Sequence, residues 1–277
     1  MAVVELTSDP RGLFVKAALG LLPSRRPDAL PDREIARRGV PVDRGHLARY
    51  DRVCGFRLTD TLPATYPHVL AFPLAMTLMA APDFPFPVVG LVHVANRITV
   101  RRPLGAAGRI DFLVRAENLR AHDRGRVFDV VATAFASGEN VWTGVSTYLS
   151  KNAGKREGRE KRDHPPAPAP TAVWKVPATA GRDYAGVSGD HNPIHTSRIG
   201  ARLFGFPRPI AHGMWSKARA LAALEGRLPA EYTVDVAFKQ PILLPARVGF
   251  AACATGDGWS FRLDSKRPHL AGQVTPP

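Results

Sequence analysis

Between Tyr184 and Met214 the chain crowds together side chains that can exchange protons. The stretch reads Y-A-G-V-S-G-D-H-N-P-I-H-T-S and, after a basic and aromatic run, P-I-A-H-G-M. Ser188, Asp190, Asn192 and His195 place a hydroxyl, a carboxyl, an amide and an imidazole close together in sequence. Asp190 can give or take a proton, and His195 can do the same near neutral pH. In an ideal helix, residues at this spacing would point in quite different directions, and Pro193 opposes a helix between them. Gly189 and Pro193 break the backbone, so a bent loop could turn both side chains into one pocket. The same residue types also suit an Asx-type turn that caps the next helix and leaves His195 on the surface. Residue types alone leave both arrangements open.

The string S-G-D-H-N-P-I-H, followed by P-I-A-H-G-M, resembles the active-site region of the MaoC-like dehydratases, the (R)-specific enoyl-CoA hydratase (hydratase 2) family. The likeness is close over Tyr184 to Met214 and looser over F-K-Q-P, Phe238 to Pro241. It implies an α+β double hot-dog, two units that each wrap a curved antiparallel sheet around a long central helix. It implies an acid/base pair at Asp190 and His195. It also implies an oxyanion donor at the backbone N–H of Gly213, at the positive end of the following helix. Asn192 would orient the pair or a water, and His212 would stand beside the substrate, serving chiefly in hydrogen bonding at the helix start. Phe238 would line the thioester channel, although an ordinary core Phe reads the same. The Gly-Asp that follows this strand in the family is missing, since the sequence runs P-I-L-L-P-A-R-V. That departure touches the sheet edge and not the acid/base pair.

The activity implied is (R)-specific hydration of trans-2-enoyl thioesters of coenzyme A or acyl carrier protein, with dehydration of (3R)-hydroxyacyl thioesters as its reverse. The resemblance calls for no cofactor and no metal. Asp190, His191 and His195 could in principle meet a metal ion, but the spacing lacks a further ligand. A hot-dog thioesterase is a competing reading, against which the D-x-N-P-x-H string argues. A non-catalytic acyl-binding or assembly subunit is another.

Composition bounds these readings. A chain of 277 residues, 45% of them hydrophobic, allows one large domain or two ordinary ones with packed cores. No apolar run approaches the roughly 20 residues of a membrane helix. Glu5 and Asp9 near the start, without a basic run, do not suit a secretory signal. Cys54 and Cys253 fall in separate halves, as reduced thiols of a cytoplasmic protein would. The formal charge of +14 favours anionic partners. The basic residues are scattered and no nucleic-acid motif accompanies them, so a phosphorylated acyl carrier fits as well as nucleic acid, and an Arg-rich composition without a charge-specific partner fits too.

The elements that must position the loop follow from patterning. Leu13 to Leu22 reads as a short helix, and the segment from there to Pro41 as loop with at most a helical turn. Asp43 to Tyr50 reads as a helix with Asp43 as its N-cap, and Val53 to Leu58 as a strand. Tyr66 to Ala81 is apolar nearly all round and must be a buried helix. Pro73 would best occupy its first turn, which would set Phe72-Pro73 where His212-Gly213 stand in the second half. Strands are expected at Leu91–Val100, Arg109–Leu119, Val127–Ala136 and Val141–Ser150. Dense charge and alternating prolines make Lys151 to Pro170 a solvated linker. It divides residues 1–150, a degenerate unit, from residues 171–277, the catalytic unit. Beyond it come a short segment at Thr171–Val176, helices over Arg182–Val187 and Met214–Glu225, and strands at Glu231–Phe238, Arg247–Ala254, Trp259–Asp264 and His269–Val274. Pro103, Arg109 and Phe112 recur at identical spacing as Pro241, Arg247 and Phe250. The halves therefore read as a repeat that forms its own pseudo-dimer, and two such chains could pair as a homodimer.

Overall fold

The computed structural model describes residues 2–8, 26–151 and 169–277. The expected helix at Leu13–Leu22 and nearly all of the expected linker lie outside the described residues. The first half contributes β1 (Ala2–Glu5), β2 (Arg33–Pro41), α1 (Arg44–Cys54), α2 (Tyr66–Met79), β3 (Val92–Val100), β4 (Arg109–His122), β5 (Gly125–Ala136) and β6 (Glu139–Lys151). The second contributes β7 (Ala172–Val176), α3 (Ala180–Ser188), α4 (Pro193–Thr196), α5 (Arg198–Leu203), α6 (Gly213–Ala223), β8 (Tyr232–Phe238), β9 (Ala246–Thr255), β10 (Gly258–Asp264) and β11 (Pro268–Thr275).

All these strands join one 11-stranded sheet. The order β2-β4-β5-β6-β3 in one half is mirrored by β7-β9-β10-β11-β8 in the other, and the halves meet where β3 pairs antiparallel with β8. Strand β1 adds a parallel edge to β2. This is the double hot-dog. Each half closes its sheet over a helix that its sequence forces inward. In α2, Tyr66, Leu74 and Leu78 are fully buried; in α6, Met214, Trp215, Ala218 and Leu221 are buried. The strands present alternate residues to these helices, as Ile110, Phe112 and Val114 do in β4.

The seam shows how closely the halves are related. Arg97 and Asp235, 138 residues apart, stand directly opposite each other on β3 and β8. The same separation relates Phe112 to Phe250, both buried. The pseudo-two-fold axis thus passes through Arg97 and Asp235. In a true homodimer a residue on that axis would face its own copy; the tandem chain sets opposite charges there, with Arg97 Nε donating to Asp235 Oδ2 at 2.8 Å.

Three sequence expectations fail. Residues 33–41 form a strand, because their polar side chains lie near the sheet edge, and β2 carries a register shift at Gly39 (φ 62°). Val53 belongs to α1, which runs on to Cys54 and ends on left-handed Gly55, so no strand follows at Val53–Leu58. Asp43 does cap this helix, accepting from His46 N–H at 3.0 Å. Pro73 lies inside α2, which starts at Tyr66 with Pro67 in its first turn. The residues equivalent to His212-Gly213 are consequently Pro63-Ala64: Leu62 N–H donates to Leu104 O at 2.8 Å just as Ala211 N–H donates to Ile242 O at 2.9 Å.

One buried cation holds α6 to the seam. Lys217 is fully buried, and its Nζ donates to Asn96 Oδ1 (2.6 Å), Asn96 O (3.0 Å) and Val234 O (3.1 Å). Burial pushes its ammonium pKa well down, while three oxygens match the three N–H donors of the charged form. Lys217→Met would strand these acceptors, each worth ~1–3 kcal/mol when left unsatisfied. A urea titration should therefore show a loss of roughly 2–4 kcal/mol; an unchanged midpoint would mean that the helix is held by apolar packing alone.

Candidate active site

Helix α3 delivers the chain to the loop. It ends at Ser188, and Gly189 adopts φ 73° to turn the backbone out, a conformation that suits glycine. Asp190 follows. Its N–H donates to Ser188 Oγ and its Oδ1 accepts from Asn192 N–H, both at 3.2 Å. Asn192 is the N-cap of α4, its side-chain oxygen accepting from Ile194 N–H at 3.3 Å. The Asx-type capping turn is thus present, yet His195 is partly buried rather than left on the surface. Asn192 orients Asp190 through its main chain, with its side-chain oxygen engaged in the cap.

The ring of His195 is fixed by Ile210. Its Nδ1 lies 2.8 Å from Ile210 O. A carbonyl oxygen can only accept, so Nδ1 carries the proton and a neutral His195 keeps its lone pair on Nε2. Burial lowers the His195 pKa, against the opposing pull of the Asp190 carboxylate and the Ile210 carbonyl. Gly181, at the start of α3, lets this loop pack closely: a Cβ there would collide with the carbonyl oxygen of His195.

His212 occupies the N-cap position of α6, but its side chain does not cap the helix. Its ring is 3% exposed, and Nε2 donates to Asp190 O at 3.0 Å. The ring stacks on His195 with centroids 3.6 Å apart and touches Tyr184 at 4.9 Å. The expected hydrogen bonding at the helix start is therefore replaced by a strut between α6 and the acid/base loop. Its Nδ1 is buried without a partner. Burial, reinforced by the neighbouring His195, pulls the His212 pKa down to about 3.

Side-chain donor atoms of Asp190, His195 and His212 all lie within 4.8 Å of one another. His191, weighed with the first two as a metal ligand, is outside that group and exposed. In both grouped histidines, one ring nitrogen is already committed to a main-chain oxygen.

Gly213 opens α6, where first-turn N–H groups have no partner inside the helix. The Phe238 ring covers it so closely that a Cβ at Gly213 would lie 3.0 Å from the ring. The first half supplies the next layer: His93 meets the edge of Phe238 at 5.0 Å and stacks on Tyr148 at 4.7 Å. The sequence gives no sign of His93 or Tyr148, because only the pairing of β3 with β8 brings them near Phe238.

The arrangement thus gathers a carboxylate, a neutral imidazole with a free lone pair, and a helix N-terminus. These are the parts needed to move a proton beside a polarised carbonyl. The chain is similar to known proteins. The MaoC like domain family matches residues 160–266. The chain is 39% identical to 3-hydroxyacyl-thioester dehydratase X of Mycobacterium tuberculosis, over 96% of this chain and 99% of that protein. The crystal structure of HtdX from that organism is similar at a TM-score of 0.80 and 38% identity, covering 88% of this chain and 100% of that one. A further M. tuberculosis protein, described as having a double hotdog fold, matches at a TM-score of 0.54 and 14% identity over 85% of this chain and 92% of that one, a likeness of fold alone.

The buried histidines make stability depend on pH. The folded His212 pKa, about 3, lies below the ordinary value of 6.5, so the folded state resists protonation. Stability is complete above the unfolded value and is lost as pH falls from about 6.5 toward about 3, at up to ~1.4 kcal/mol per pH unit for each such group. Urea midpoints measured from pH 7 to pH 5 should fall, and the slope should be shallower in His212→Gln. Equal slopes would show that His212 takes up its proton freely in the folded protein.

Proposed function

This chain belongs to the MaoC-like dehydratase family, and on that footing we propose that it is a hydro-lyase acting on acyl thioesters. It adds water to trans-2-enoyl thioesters to give (3R)-hydroxyacyl thioesters, or catalyses the reverse dehydration, in fatty-acid metabolism. The observation that carries this reading is the convergence of Asp190 and the lone-pair face of His195 next to the start of α6.

In this reading the thioester oxygen meets the N–H of Gly213, where the helix dipole stabilises the enolate that forms. One water sits between Asp190 and His195. Nε2 of His195 takes a proton from it as the oxygen bonds to C3. The Asp190 carboxylate holds the water and stabilises the transient imidazolium. That proton then passes to C2, which restores neutral His195 and closes the proton balance. Asn192 sets Asp190 through its N–H, His212 braces the loop against α6, and Phe238 forms one wall of the thioester channel.

The parts divide as residues 1–150, a degenerate unit whose sequence lacks the D-x-N-P-x-H motif; residues 151–170, a linker; and residues 171–277, the catalytic unit. Coenzyme A and acyl carrier protein are both anionic and suit the +14 charge. We place the reaction in the cytoplasm; among the described residues no helix is long and apolar enough to cross a membrane. Asp190 and His195 pointing apart would favour a purely acyl-binding subunit; their donor atoms lie within 4.8 Å of each other, which supports the catalytic reading.

Crotonyl-CoA hydration by Asp190→Asn, His195→Gln and the double variant tests the pair. Each single change should cost ~10²–10⁴-fold in turnover. The double variant should be little worse than the poorer single one, because the two groups act as a unit. Substrate binding should survive, since Gly213 and Phe238 remain. Near-normal turnover in either single variant would remove that residue from the mechanism.

A further inference from the structure

The active site has a counterpart across the seam. Helix α1 ends at Cys54 with Gly55 at φ 82°, just as α3 ends at Ser188 with Gly189 at φ 73°. Tyr50 and Tyr184, at matching places before these ends, approach each other to 6.3 Å between ring centroids. The next residue is Phe56 in the first half and Asp190 in the second. The two paths converge again at Leu62 and Ala211, which make the equivalent bonds to Leu104 and Ile242. Residues 190–210 of the second half, with α4, α5 and His195, thus correspond to residues 56–61 alone in the first. Between α1 and α2 the first half has no segment to carry such a loop, and Phe56 begins the connection where Asp190 begins the loop in the second half.

The place is hollow. A cavity of about 180 Å³ lies there, walled by Phe56, Leu104 and Trp142 from one half and Leu221, Leu228 and Tyr232 from the other. Pro63, Ala64 and Pro67, at the start of α2, also line it, as the start of α6 lies in the active site. The two sites occupy opposite ends of the seam: Tyr232 pairs with Val100 at one end, and Phe238 lies just past the Ala95–Ala237 pair at the other. The volume exceeds the ~150 Å³ of a dry apolar cavity that holds benzene. Its walls are mostly apolar. Arg102 is among the lining residues, half exposed and 3.5 Å from Glu139. Glu225, also lining, is engaged by Arg57 at 3.4 Å.

We propose that this cavity is a second, non-catalytic site that binds a medium-length acyl chain whose anionic head meets Arg102. The choice of an acyl ligand rests on the reading of the catalytic site as a thioester site; the place and shape of the cavity do not. Phe56 and the missing loop mean that a ligand held there undergoes no hydration. The chain would then bind acyl groups at both ends of one seam and transform them at only one.

The test uses the full chain and 8-bromooctanoate. Soaked crystals should show a bromine anomalous peak among Leu104, Trp142 and Leu221. A peak confined to the channel beside Gly213, or none, would overturn the proposal. Calorimetric titration with octanoate should give saturable binding that persists in Asp190→Asn and weakens at least tenfold in Ala230→Trp, which fills the rim of the cavity. Crotonyl-CoA turnover should be unchanged in Ala230→Trp. No saturable binding in solution, or full binding in a folded Ala230→Trp, would refute the second site. Neither result touches the catalytic reading, which stands or falls on turnover in the Asp190 and His195 variants.

Discussion

The ammonium group of Lys217 is the point on which the two halves and helix α6 depend together. It sits in the middle of α6 and binds oxygens from β3 of one half and β8 of the other. Asn96 is held in turn, its Nδ2 donating to Val145 O and Ser146 Oγ. A buried cation without such acceptors would cost several kcal/mol, so the bonds fix the helix in both rotation and height. Fixing α6 fixes Gly213 at its start, and His212 transmits that position to Asp190. Apolar packing around Met214 and Leu221 supplies bulk attraction, but attraction of that kind has little direction.

The pseudo-dimer accounts for the difference between the halves, of which the second carries the loop from Asp190 to Ile210 and the first a short connection between α1 and α2. Two identical units would have to place the same residue on both sides of the axis and the same loop at both ends of the seam. Linking the two units in one chain frees each half. Arg97 can face Asp235, and Thr99 can bond Thr233 at 2.9 Å. The first half keeps the helix-capping glycine and the tyrosine before it, yet follows them with Phe56 and a short connection. Its strands instead supply His93 and Tyr148 behind Phe238, which makes the wall over Gly213 a product of both halves.

Much of this was legible in the sequence, and the parts that were not have physical reasons. Local patterning located α2, α6 and the eight strands β3–β6 and β8–β11, because burial of one face leaves its period in the residues. The repeat of Pro, Arg and Phe gave the offset that sets the seam register. The pairing of Asp190 with His195 came from motif resemblance, since residue types alone fit a capping turn equally well, and the structure contains that turn as well as the convergence. Strand β2 was hidden because R-E-I-A-R-R-G-V-P carries charges tolerated only near a sheet edge. Pro73 misled because a proline inside a buried helix is costly in isolation, and the packing that tolerates it is long-range. The strut made by His212 and the placement of His93 depend on pairs distant in sequence, which no local pattern records.

The central claim is that Asp190 and His195 serve one water on one face of the substrate. Hydration of crotonyl-CoA in deuterium oxide tests it most directly. The account predicts a (3R)-3-hydroxybutyryl product with deuterium at C2 on the same face as the new hydroxyl, a syn addition visible in proton coupling constants. Anti addition, or a product scrambled at C2, would mean that the hydroxyl and the C2 proton arrive from different faces and that the shared water does not exist.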